Sequence, residues 1–211
     1  MSLVDFENHL RDVRPGFRCY ASGDRTDTVK FLARLRHEVG RPASEKSLKA
    51  ATELAGTAAS TMTPFLKLHD GVVLYRDTLS DTAGVEFFKV ADWKAKTAEM
   101  HEWTSGMGLD DDNWPDWIHR GVVIGDIPHS ANYFVLQPDG QNAGRVYYFD
   151  HDDFQETPLA ESLEELLKMI IEDPANFLLE RGCYTRYSDG KTKTQWIPKE
   201  YVANCDNEVP L

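Results

Sequence analysis

Residues 121–170 read GVVIGDIPHSANYFVLQPDGQNAGRVYYFDHDDFQETPLAESLEELLKMI, and the order of elements in this stretch decides the fold. The runs 121–127, 133–137 and 145–149 are short, rich in Val, Ile, Tyr and Phe, and bounded by turn formers, which predicts three strands. Between the last two, PDGQNAG is a hairpin connection by composition. Ser162 and Glu165 then make a capping box, and Leu163, Leu166, Leu167, Ile170 and Ile171 form the apolar stripe of an amphipathic helix. Consecutive strands followed by a helix point to an antiparallel meander in an α+β fold rather than a doubly wound parallel sheet.

Upstream, helices and strands are segregated in the same way. Helical spacing appears at Leu3, Phe6, Leu10 and Val13, and again over 28–39 with Val29, Leu32, Leu35 and Val39. A third helix starts near Ser44, and a shorter fourth begins with Pro64 in its first turn and ends at Asp70-Gly71. The runs 72–75 and 85–90 predict strands, and 91–103 predicts a helix. The acidic segment SGMGLDDDNWPDW reads as irregular. Downstream, 183–187 and Thr194–Ile197 are expected to pair across Asp189-Gly190 as a terminal hairpin.

At 211 residues the chain fits one domain, which needs neither disulfide nor metal to bury a core. The formal charge is −12, from 35 acidic against 23 basic side chains. That balance repels phosphate backbones and anionic membranes and attracts basic surfaces, although acidity also serves solubility. The expected partner is therefore a protein, not nucleic acid. Cys19, Cys183 and Cys205 lie far apart, as suits a reducing compartment. The start MSLVDFENHL has no signal-peptide pattern and no apolar stretch is long enough to span a bilayer, so the expected location is the cytoplasm.

Motifs for catalysis are missing from the sequence. It carries no phosphate loop, dinucleotide fingerprint, nucleophile elbow or H-E-x-x-H pair. A calcium loop starting at Asp110 fails because Trp114 and Pro115 stand at its fifth and sixth positions. Asp150, His151, Asp152 and Asp153 at a strand end offer carboxylates around an imidazole, but alternation along a strand sends neighbours to opposite faces unless a turn intervenes. Trp103, Trp114 and Trp117 bracket the acidic segment. They read either as aromatic anchors for a partner or as rings that pin the loop to the core.

Several short motifs stand in a suggestive order. They are Pro64 through Gly71, then Ile124-Gly125-Asp126, Asn132-Tyr133-Phe134, Val146 through His151, and Leu159 through Leu167. In this order the chain resembles the SUKH superfamily, which includes fungal Smi/Knr-type regulators and many bacterial immunity proteins. The resemblance covers about 44–172, leaving a helical extension at 1–43 and a hairpin extension at 183–202. Two places depart from the family pattern: Ile127 through Ala131 replaces a glycine-rich step, and Met62-Thr63-Pro64 replaces Leu-Pro.

The resemblance implies an α+β fold with a mixed, mostly antiparallel sheet covered by helices, and no shared catalytic residues. It implies a non-enzymatic immunity-type protein that binds and neutralises a toxin domain, often a nuclease, whose basic cleft would suit an acidic chain. The residues expected to meet the partner are Trp114, Asp126, Asn132, Tyr133, Asp150 and His151. No cofactor or metal is expected. The alternatives are a Smi/Knr-type regulatory or scaffold protein without a toxin partner, and a metal-assisted hydrolase at Asp150, His151 and Asp153.

Overall fold

A computed structural model describes residues 3–11, 18–21, 30–32, 35–77, 84–106, 114–154, 157–174, 177–178, 181 and 194–197. The elements, in chain order, begin with α1 (Leu3–Arg11), β1 (Arg18–Ala21), β2 (Lys30–Leu32) and β3 (Leu35–Val39). Next come α2 (Glu45–Ala55), α3 (Ala59–Leu66), β4 (Val72–Asp77), β5 (Val85–Phe87), α4 (Val90–Gly106) and α5 (Asp116–Arg120). The chain continues through β6 (Val122–Ile127), β7 (Asn132–Leu136), β8 (Val146–Asp150), β9 (Asp153–Phe154), α6 (Leu163–Glu172) and β10 (Thr194–Ile197).

The fold is α+β. Strands β3 to β9 form one seven-stranded sheet in sequence order, and every pairing between its described strands is antiparallel. The helices cover both faces, which explains why β7 is buried at all five positions instead of alternating. Across one face, Phe87, Gly125, Phe134 and Tyr148 fall in register. Phe87 stacks on Phe134 and meets Phe65 of α3 edge-on. On the other face, Glu86, Asp126, Tyr133 and Phe149 form the matching row beneath α4.

Local chemistry explains several boundaries. Ser44 caps α2 by accepting from the Ser47 amide, and Ser162 caps α6 by accepting from the Glu165 amide. The reciprocal arm of the expected box runs from the Glu161 amide to the Glu165 carboxylate. In β6, a Cβ on Gly125 would lie 2.4 Å from the carbonyl oxygen of Glu86, so only glycine lets β5 approach this closely.

Three expectations are corrected. Residues 30–32 and 35–39 are strands, not a helix, because β3 pairs with β4 and β2 with β1. Pro64 lies inside α3, since the helix already starts at Ala59 after a 3₁₀ turn at Gly56–Ala58. Of the segment 105–117, expected to be irregular, the first two residues belong to α4 and the last two open the short helix α5. Thr194–Ile197 pairs with β1, and the run at 183–187 that was expected to face it lies outside the described residues.

Candidate functional site

The turn from β6 to β7 sets the first polar residues in place. His129 and Ala131 both adopt positive φ, 62° and 59°, where glycine would cost less. Ser130 compensates: its hydroxyl donates to the Ile127 carbonyl at 2.5 Å and accepts from the Asn132 amide at 2.9 Å. The glycine-poor Pro128-His129-Ser130-Ala131 step is thus held by one buried hydroxyl.

Asn132, 2% exposed, is the hub of the sheet end. Its Nδ2 donates to the Tyr148 hydroxyl at 2.8 Å. Its Oδ1 accepts from the His151 amide at 3.2 Å and from His151 Nδ1 at 2.6 Å. An amide oxygen can only accept, so the Nδ1 proton is committed and Nε2 is the outward nitrogen. The His151 ring stands edge-on to Trp103 of α4, with centroids 5.8 Å apart.

The turn after β8 brings consecutive side chains together, which strand alternation alone forbids. Asp150 Oδ1 accepts from the Asp152 amide at 3.1 Å, and His151 Nε2 lies 3.3 Å from Asp152 Oδ1. Ligand atoms of Asp150, His151 and Asp152 all lie within 4.8 Å of one another and could hold a cation. The third member is Asp152. Asp153 instead pairs with Asp150 through the backbone of β9.

Beneath α4 lies a second polar group. Glu86 and Asp126 oppose each other on β5 and β6. Burial, with Glu86 adding, pushes the Asp126 carboxyl up to about 7, and Asp126 Oδ1 is buried with no hydrogen-bond partner among the described residues. Burial also raises Glu86. Lys96 and Glu99, one helical turn apart on α4, hydrogen-bond at 2.8 Å, which raises the lysine and lowers the glutamate. The Tyr133 hydroxyl donates to Glu99 at 3.1 Å, and burial first, then Glu99, lifts its phenol above the usual range.

No family model and no curated protein matches this chain.

Of the six residues expected to meet a partner, five gather at or near one end of β6–β8: Asp126, Asn132, Tyr133, Asp150 and His151. Trp114 lies elsewhere, with His101 and Ile118 beside the end of α4. Trp114, Asn132 and Tyr133 are 8%, 2% and 4% exposed, so their side chains brace the fold instead of projecting as anchors. Trp117 likewise stacks flat on Tyr147 at 5.0 Å.

Sequence reasoning missed Glu86, Lys96, Glu99 and Tyr148. Glu86, a lone charge inside VEFFKV, and the i,i+3 spacing of Lys96 and Glu99 were the available signals. Nothing local could have revealed Tyr148 as the partner of Asn132.

Proposed function

We propose that this chain is a non-catalytic, protein-binding module of the SUKH type, and that its partner is a basic protein, most concretely a toxin or nuclease domain that it neutralises. The observation that carries this reading is the charge of −12 on the chain. Such an excess speeds encounter with a basic surface and disfavours nucleic acid. The element order supports it: the motifs that resemble the superfamily fall on α3, β6, β7, β8 and α6 in a single meander with its covering helices. The motif residue Asn132 bonds both Tyr148 and His151, which suits a scaffold role. Among the described residues, no helix is long and apolar enough to cross a membrane.

The test is affinity purification of the tagged protein from its native cells at low salt, followed by mass spectrometry. A stoichiometric basic partner that is released as salt rises supports the reading. Retention of no protein, or of a partner indifferent to salt, removes it. The Asp150–His151–Asp152 group favours a second reading, metal-assisted hydrolysis. Zinc that survives dialysis of the wild type and is lost in His151→Ala would keep that reading alive; zinc-free wild type would end it.

A further inference from the structure

The Asp126 carboxyl lies among groups that leave its charge unmatched. Among the described residues, Glu86 of β5, Lys96 and Glu99 of α4 and Tyr133 of β7 interact with it. Arg76 of β4, Glu38 of β3 and Asp92 of α4 act in turn on Glu86. Lys96 is the cation that favours an ionised Asp126, but its ammonium is engaged elsewhere and donates to Glu99 Oε2 at 2.8 Å. The second oxygen of Glu99 accepts from the Tyr133 hydroxyl at 3.1 Å. Asp126 Oδ1 is buried and has no hydrogen-bond partner among the described residues.

An ion pair contributes very different amounts at the two ends of this cluster. The Glu99 side chain is 54% exposed and that of Lys96 32%, so water replaces most of what their bond supplies. Oδ1 is closed to water, and an ionised Asp126 opposite Glu86 is a buried charge without a partner. Pairing at Oδ1 therefore outweighs pairing at Glu99 once the proton has left. A lysine ammonium sits on a flexible stem with rotatable donors, so it can turn from one acceptor to another. The helix itself stays in place. The Val123 amide donates to Thr97 Oγ1 at 2.9 Å, the Trp93 indole donates to the Phe88 carbonyl at 3.1 Å, and Met100 is fully buried.

From the orphaned oxygen, the engaged lysine and the fixed helix, we infer that Asp126 and Lys96 form a proton-controlled switch. Loss of the Asp126 proton draws the Lys96 ammonium from exposed Glu99 to buried Oδ1. Glu99 then keeps the Tyr133 hydroxyl and turns its other oxygen to solvent. The folded value of Asp126, about 7, places this exchange near neutral pH. A further consequence rests on the function proposed above: deprotonation adds a negative charge and frees the Glu99 carboxylate, so a basic partner is held more tightly.

The test follows the full-length protein by NMR from about pH 5 to about pH 9, reading Asp126 Cγ, Glu99 Cδ and Lys96 Nζ. The expected Asp126 midpoint is about 7. The Glu99 and Lys96 signals should move at that midpoint although neither group changes its own charge there, the glutamate being lowered and the lysine raised. Both movements should vanish in Asp126→Asn. In Lys96→Met the Glu99 movement should vanish while Asp126 still titrates, its proton bound at least about tenfold more tightly. A Glu99 movement that persists in Lys96→Met is the bare field of Asp126 and overturns the switch. An Asp126 that titrates as an ordinary aspartate, or a Lys96 signal that stays still in wild type, overturns it too. Calorimetry with the captured basic partner at about pH 6 and about pH 8 tests the consequence. Affinity should be at least about threefold higher at the upper pH in wild type, with the difference lost in Asp126→Asn. The same pH ratio in both proteins overturns the link to the partner but leaves the binding-module reading standing. Switching signals in a protein that retains no basic partner support the switch and remove that reading.

Discussion

Asp126 and Glu86 face each other across neighbouring antiparallel strands, two carboxyl groups in direct cross-strand register beneath α4. Like charges so placed destabilise a sheet; here Arg76 and Lys96 offset Glu86, Lys96 offsets Asp126, and Glu99 adds to the repulsion on Asp126. The arrangement holds because Asp126 takes up a proton far more readily than an ordinary aspartate.

Asp126 sets the first prediction. Its folded value of about 7 lies above the unfolded 3.8, so its contribution is fully present below about pH 4 and is lost as pH rises through 7. Asp126→Asn should therefore be more stable than wild type at pH 8, with the gain shrinking towards pH 4. Urea unfolding at the two pH values measures this; an equal difference at both would show that the carboxyl does not titrate in this range.

His37 acts in the opposite direction. Burial, with His9 adding, lowers it from 6.5 to about 4, and its Nδ1 accepts from the Tyr75 amide at 3.3 Å. Stability is fully present above pH 6.5 and falls as pH drops towards 4, by about 1.4 kcal/mol for each unit of separation. His37→Asn, which keeps an acceptor, should lose less stability than wild type between pH 6.5 and 4.5 in the same assay.

Asn132 tests the hub. Asn132→Ala removes three hydrogen bonds and strands the Nδ1 proton of His151 at the sheet end, at a cost of about 2–4 kcal/mol. His151→Ala, at a half-buried position, should cost less. Thermal unfolding of both variants gives the order; a larger loss in His151→Ala would place the hub elsewhere.

Gly125 tests the close approach of β5. Its replacement by alanine drives a Cβ to 2.4 Å from the Glu86 carbonyl oxygen, with the Phe134 ring at 3.3 Å. Gly125→Ala should destabilise by at least about 2 kcal/mol, read from the denaturant midpoint.

Much of the fold was legible locally. The caps Ser44 and Ser162, the stripe of α6 and the strand runs at 122–150 carry their signals within a few residues. The 28–39 stretch was misread because its apolar residues fall at helical spacing, whereas β3 is decided by pairing with β4, more than thirty residues downstream. Pro64 misled for a similar reason: the 3₁₀ turn had already begun the helix before it.

The candidate site was half legible. Residue types picked out Asp126, Asn132, Tyr133, Asp150 and His151, but not whether they face solvent or each other.

The sequence by itself determined the acidic excess, the helix caps and the succession of strands, because charge, capping and strand preference act over a few bonds or none. Only the tertiary structure decided which polar groups meet. Asn132 reaches His151 across nineteen positions, Asp126 opposes Glu86 through strand register, and His101 meets the Ile118 carbonyl where α4 docks beside α5. Those meetings depend on register and helix docking, which are set by burying the whole apolar surface at once.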